Sequence, residues 1–330
     1  MSRLRINFAC CDYDRMRPLI DGVIKPEGID FNYINFRVGD APEIFWRMFQ
    51  YEEFDAAELS TSGYILERSR GNNRFIAIPV FPSRTFRHSI IYVNTDAGIK
   101  RPEDLKGKEV GVPEYHMTAA LWVRGLLHHE YGVKASDVIW RTGGHEEAGR
   151  KERVELKLPR EIVVKPIPES ETLAGMLERG AISALVSPHP LTSFIKGHPK
   201  IKRLFPDYRA MEEEYYKKTK IFPIMHIVVI KESIYRENRW VAMELFKAFR
   251  ESKDLCLKRI WTSGYSLPWL MAEVEREKAI IGQDLWPYGV QANKHVLEAM
   301  VQFSYEQGLA ERIIPLEELF AKETLVDSKM

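Results

Sequence analysis

The feature that most constrains this chain is a repeated alternation of short apolar runs with amphipathic helical stretches. RINFACC reads as a strand, RMRPLIDG as a short helix, and IDFNYINF alternates apolar and polar residues as a half-covered strand does. APEIFWRMFQ places Ile44, Phe45, Met48 and Phe49 on one helical face. FDAAELS is a strand ending in polar residues, GYILERSRG is a helix closed by Gly71, and FIAIPVF and HSIIYVN are further apolar runs. Strands alternating with helices in this way build βαβ units around largely parallel sheets.

A second α/β stretch begins near residue 100. It contains the strand EVGV and the amphipathic helix TAALWVRGLLHHEYG, with Leu121, Trp122, Leu126 and Leu127 facing inward. The strand VIW follows, then a polar, Gly-rich excursion, TGGHEEAGRKERVELKLPRE, read as a flap. IVVKPIP and AISALVSP are strands on either side of the helix SETLAGMLERG, for which Ser170 is the expected cap. YRAMEEEYYKKTKIFP reads as a charged connection, IMHIVVIKESI as a returning strand, and the remainder as helices. A chain of 330 residues exceeds one ordinary core. The expected architecture is therefore α/β with two lobes, 1–97 plus 220–330 and 98–219. Two crossing strands join them, the C-terminal helices sit on the first lobe, and a ligand cleft lies between.

Charge argues against a nucleic-acid partner, because 48 Lys plus Arg nearly balance 47 Asp plus Glu. No run of about 18 apolar residues occurs, and INFACC is too short for a secretion signal, so a cytoplasmic protein without membrane contact is expected. Adjacent Cys10 and Cys11 with remote Cys256 fit neither a disulfide framework nor a zinc spacing; they are read as small buried residues.

In open α/β sheets, ligands bind outside the carboxyl ends of the strands. That rule selects four clusters. The first is Glu58, Ser60, Thr61 and Ser62, where hydroxyls and a helix start suit a carboxylate. The second, FPSRTFRHS, holds Arg84, Arg87 and His88. An arginine there can grip a carboxylate with two parallel bonds, and His88 is the leading acid–base candidate. The third holds Glu114, Tyr115, His116, Met117 and Thr118 at a strand end that opens a helix. The fourth is Ser187 and His189 between prolines, together with His226 on the returning strand. Tyr288, in the stiff turn WPY, is a stacking candidate for an aromatic ligand. His128 and His129 close an amphipathic helix, where solvated positive charge is expected. No dinucleotide, P-loop, HExxH or GxSxG motif occurs. No metal is assigned; among the nine histidines a site would need long-range convergence.

The order of elements resembles the type II periplasmic-binding-protein-like fold. LRINFACCDYDRMRPLIDG, FPSRTFRHS, PEYHMTAA and LWPYGV go further and resemble the 4,5-dihydroxyphthalate decarboxylase family over almost the whole chain. The resemblance implies decarboxylation of a dihydroxylated aromatic diacid to a dihydroxybenzoate without an organic cofactor. Such chemistry needs a base for a phenol, an acid beside the ring and a clamp for the retained carboxylate. His88 and His116 are the expected acid–base pair, with Glu114 tuning one of them and Arg84 or Arg87 as clamp. Ser60, Thr61, Ser62, Tyr115, Met117, Thr118, Ser187, His189, His226 and Tyr288 are expected to line the site. The expected partner is a small aromatic carboxylate, and a homo-oligomer is left open. The alternative is a cytoplasmic binding or sensor protein that captures such an acid unchanged.

Overall fold

A computed structural model describes residues 3–262 and 265–326. Its strands are β1 (Leu4–Cys11), β2 (Ile29–Phe36), β3 (Ala56–Ser60), β4 (Phe75–Ile78), β5 (Ile91–Asn94), β6 (Glu109–Val112), β7 (Ile139–Thr142), β8 (Val163–Pro166), β9 (Ala184–Val186), β10 (Ile201–Arg203) and β11 (His226–Lys231). Two sheets result, with strand orders β2-β1-β3-β11-β4 and β10-β5-β9-β6-β7-β8. The chain divides into two compact units. The first runs to Arg84 and adds Ile224–Glu298 and the residues from Ile314; the second is Thr85–Pro223 with Ala299–Ile313.

In the first unit β1 pairs parallel with β2 and β3, while β11 runs antiparallel between β3 and β4. Ile6, Phe8, Ala9, Cys10 and Cys11 expose nothing, as a strand covered on both faces requires. All three cysteines are free and buried. The helix Ala41–Tyr51 turns Ile44 and Met48 fully inward, with Phe45 and Phe49 at the margin, so the expected face is realised.

In the second unit β9, β6, β7 and β8 are parallel, and β5 runs antiparallel to β9 and β10. Each sheet thus holds a reversed strand that follows a crossing of the chain, β5 after Arg84 and β11 after Pro223. The expected boundary at 97/98 is therefore too late. Of HSIIYVN only Ile91–Asn94 is strand, His88–Ile90 forming a 3-10 turn; an apolar run carries no address, and its partners β9 and β10 place β5 in the second unit. The C-terminal helices likewise divide, because 299–313 packs with the second unit.

Two local expectations also change. The charged connection is a 12-residue helix, Tyr208–Thr219, whose start is capped by the Asp207 side chain accepting from Ala210 N–H. The helix Leu173–Glu178 is capped by Thr172, not Ser170; Thr172 Oγ1 accepts from Gly175 N–H at 3.1 Å.

The helix Thr118–Tyr131 is buried over its first ten residues rather than on one face. The segment 299–313 covers its outer side, setting Phe303 edge-on to Trp122 at 5.6 Å. Gly125 supplies the notch, since a Cβ there would overlap the Phe303 ring. Arg124, also buried, donates to Gln307 Oε1 at 2.6 Å and to Tyr115 O at 2.7 Å and lies 3.8 Å over the Tyr115 ring. Overpacking a filled core costs about 1–3 kcal/mol. Gly125→Ala should therefore lower the urea midpoint of unfolding, and adding Phe303→Leu should recover part of the loss.

Candidate functional site

Each unit places one fully buried carboxylate at a strand end and surrounds it with partners. In the first unit the carboxylate is Glu58. Its Oε1 accepts from Tyr13 Oη at 2.6 Å and lies 2.5 Å from His226 Nδ1. Its Oε2 accepts from the Cys11 amide at 3.0 Å and the Cys10 thiol at 3.2 Å. The pairing of β11 with β3 sets His226 beside Ser60, at the end where Glu58 turns inward. Burial alone would raise the Glu58 pKa. The His226 charge and the hydrogen bonds from His226, Tyr13 and Cys11 outweigh it and hold the carboxyl at about 2. The same carboxylate, after burial itself, pushes the Tyr13 phenol far above its ordinary range. His226 rests edge-on against Phe45 at 4.9 Å and its side chain stays partly exposed.

Arg15 lies nearby in sequence and unit. Its guanidinium is 4.0 Å from the Trp286 ring centre and 4.4 Å from that of Tyr13, and it donates to Pro82 O at 2.7 Å. Arg84, expected as a clamp, is buried and donates to Pro287 O at 3.0 Å and Asn293 Oδ1 at 2.7 Å. Those neutral acceptors tie the turn 287–293 to the strand end, which is a structural role. Ser60 caps the helix Thr61–Ser69 through Gly63 N–H, Thr61 Oγ1 donates to Met225 O at 3.1 Å, and Ser62 is fully buried. The three hydroxyls thus serve the helix start and the core. Tyr288 is also buried, edge-on to Phe81 at 6.4 Å.

In the second unit the carboxylate is Glu114. Arg150 Nε donates to its Oε1 at 2.6 Å, and Arg153 donates to the same oxygen through Nε at 3.0 Å and Nη2 at 2.7 Å. Its Oε2 lies 3.5 Å from His116 Nε2, and His116 Nδ1 is paired with Glu152. Burial raises the Glu114 pKa, but the Arg153 hydrogen bond and the charges of His116, Arg150 and Arg153 prevail and lower it. Glu114 and His116 do meet as expected. Tyr115 is buried and its Oη donates to Gln307 O at 3.1 Å. Met117 is partly covered and Thr118 buried at the following helix start.

A second cluster in this unit gathers His88, Glu212 and Arg87. His88 is enclosed, with Phe205 and Tyr215 edge-on at 5.2 and 5.5 Å, and burial lowers its pKa to about 4. It is therefore neutral near pH 7. Burial lowers the Arg87 pKa to about 10, against the attraction of Glu212. Glu212 accepts from the His88 and Ser89 amides at 3.1 and 3.4 Å. Ser187 is buried and bonds His145 Nε2 at 2.6 Å and the His189 carbonyl, while the His189 side chain is exposed.

Sequence reasoning passed over Tyr13, Arg15, Arg150, Glu152, Arg153 and Glu212. Tyr13 follows β1, so the strand-end rule applied to every strand would have found it. Arg15 lies in the short turn Asp14–Met16 that follows β1, and the remaining four lie in a polar excursion or on a charged helix, where composition alone does not separate a buried partner from a solvated one. Among the described residues no helix is long and apolar enough to cross a membrane.

Two mixed sheets, each carrying one reversed strand contributed after a chain crossing, define the two-lobed periplasmic-binding-protein-like class. The periplasmic aliphatic sulphonate-binding protein of Escherichia coli matches with a TM-score of 0.52 at 13% identity, covering 98% of this chain and 99% of that one. A periplasmic sulfonate-binding protein of Methylobacillus flagellatus gives the same score and identity over 97% and 92%. Residues 13–150 match the model of ABC transporter, phosphonate, periplasmic substrate-binding protein. The 4,5-dihydroxyphthalate decarboxylase of Comamonas testosteroni is 40% identical over 100% of both chains. That of Pseudomonas putida is 44% identical over 217 residues, 66% of this chain and 83% of its own. The chain belongs to the 4,5-dihydroxyphthalate decarboxylase family.

Glu212 provides a test of these electrostatics. Burial, opposed by the Ser89 and His88 amides and by Arg87 and Arg203, raises its pKa from 4.5 to about 7. The folded state then holds this proton more tightly than the unfolded chain. Its contribution to stability is full below about pH 4.5 and is lost as pH rises to about 7. Glu212→Gln cannot ionise, so it should gain stability relative to the parent across that window, by at most about 3 kcal/mol. Urea midpoints at pH 5 and pH 8 measure this; an equal difference at both values would refute the assignment.

Proposed function

We propose that this protein is a carboxy-lyase that converts a hydroxylated aromatic diacid, 4,5-dihydroxyphthalate, to protocatechuate and CO₂. The observation that carries the reading is 40% identity to a decarboxylase of that name over the entire length of both chains. The compartment proposed with it is the cytoplasm, where buried free thiols such as Cys10, Cys11 and Cys256 stay reduced.

Direct loss of CO₂ would leave an aryl carbanion, which is too unstable to form. A hydroxyl para to the departing carboxylate opens another route. A base takes the phenolic proton and electron density moves to the carbon bearing that carboxylate. A general acid protonates that carbon, the carbon–carboxylate bond breaks to release CO₂, and its electron pair restores the aromatic ring as a phenolate, which regains its proton. The base assigned here is His226. Glu58 holds Nδ1 at 2.5 Å, which leaves Nε2 as the nitrogen to take the phenolic proton. Tyr13, bonded to the same carboxylate, fixes the pair.

A second reading favours the other unit, because Arg150 and Arg153 already converge on one carboxylate there. In that reading Glu114 is a resident anion on a substrate clamp, and His116 is the acid–base group beside it.

Purified protein incubated with 4,5-dihydroxyphthalate should release equimolar protocatechuate and CO₂. A general base contributes about 10²–10⁴-fold, so His226→Ala should lower kcat at least 100-fold, and Glu58→Gln should follow it in direction. If His226→Ala turns over normally while Arg150→Ala and Arg153→Ala raise KM tenfold, the second reading replaces the first. Binding seen as a melting shift without product would instead make the chain a solute-binding or sensor protein.

A further inference from the structure

Away from the clusters above, three side chains of the second unit converge at a helix end. The helix Thr118–Tyr131 carries His128 and His129 in its last turn. Adjacent helical positions point about 100° apart, so two such rings share one partner only when it lies between them. Glu306, the last residue of Lys294–Glu306, takes that position. Its Oε2 is 3.5 Å from His128 Nδ1 and 2.8 Å from His129 Nε2. The three potential ligand atoms all fall within 4.8 Å of one another.

We propose that His128, His129 and Glu306 form a binding site for a divalent transition-metal ion of the Zn²⁺ class, with solvent completing the coordination. Two ligands about 2.0–2.2 Å from a tetrahedral ion stand roughly 3.3–3.6 Å apart; the His128 spacing of 3.5 Å falls in that range, and the 2.8 Å His129 hydrogen bond would open as the ion takes the place of its proton. Two imidazoles and one carboxylate suit Zn²⁺, Ni²⁺ or Cu²⁺ over Mg²⁺ and Ca²⁺, which prefer all-oxygen sites. The carboxylate is already oriented, because Gln302 Nε2 donates to its other oxygen, Oε1, at 2.8 Å. His129 is fixed by stacking on Phe303 at 4.7 Å. A helix C-terminus favours positive charge. The rings keep 32% and 41% of their surface, so an ion and its remaining water can reach them.

The other group of metal-ligating side chains, Glu114, His116 and Glu152, is disfavoured by the cations Arg150 and Arg153 already seated on its central carboxylate. Among the described residues, the ion-pair partners of Glu306 are His128 and His129, with no Lys or Arg to compete with an incoming ion. Bound metal would fasten the segment 299–313 to the helix it covers, at the same contact where Phe303 fills the notch at Gly125. Its effect is therefore expected on stability and not on turnover.

Chelator-treated, dialysed protein titrated calorimetrically with ZnCl₂ should bind one equivalent saturably and unfold at a higher temperature. His128→Ala and Glu306→Gln should each weaken binding at least tenfold, and Co²⁺ should give a d–d absorption band in the parent that is lost in both. His129→Ala should behave likewise but also removes the ring on Phe303, so the first two variants decide. Absence of saturable binding in the parent would overturn the proposal. So would retention of binding in those variants, or its loss in Glu152→Gln in their place.

Discussion

Two carboxylates with no exposed surface, Glu58 and Glu114, dictate much of what surrounds them. An ionised carboxyl removed from water is tolerated only when charge and hydrogen bonds replace its hydration. Glu58 obtains this from His226, Tyr13 and the ends of β1, and Glu114 from Arg150, Arg153 and His116. Each carboxylate therefore draws together parts of the chain that are distant in sequence. Glu58 joins residues 10–13 to residue 226, and Glu114 joins a strand end to the polar excursion at 150–153.

The consequence is chemical as well as structural. A buried anion bonded to one nitrogen of an imidazole fixes which nitrogen faces outward and stabilises the ring when it gains a proton. His226 has such a partner in Glu58 at Nδ1. His88 is instead enclosed by aromatic rings, with Glu212, itself pushed toward neutrality, 3.8 Å from its Nδ1. Two histidines that look equivalent in a strand-end motif thus differ through their surroundings alone.

Legibility in the sequence followed the range of the interaction. Apolar periodicity identified RINFACC, IDFNYINF and the face of Ala41–Tyr51, because side-chain period depends only on local geometry. It misplaced the boundary between units, since β5 has the same apolar character whichever sheet receives it. The helix Thr118–Tyr131 looked amphipathic because Arg124, His128 and His129 interrupt its apolar residues. Arg124 is nonetheless buried, its charge carried by Gln307, the Tyr115 carbonyl and the Tyr115 ring. Of the expected site residues, Glu114 with His116 and His226 lie at buried carboxylates. Arg84, Tyr115 and Tyr288 proved to be core residues, because a motif names side chains and not the direction in which they turn.

By itself the sequence determined the α/β class, most elements and, through motifs spread over the chain, the family to which it belongs. These follow from local periodicity and from residue identities held in order along the chain. Only the tertiary structure decided which strands pair, where the chain passes from one sheet to the other, and which ionisable groups meet. The pairing of β11 with β3 brings residue 226 beside residues 58–60, across more than 160 positions of chain. No local pattern encodes such a contact, because its energy comes from burial and pairing that exist only once the sheet has formed.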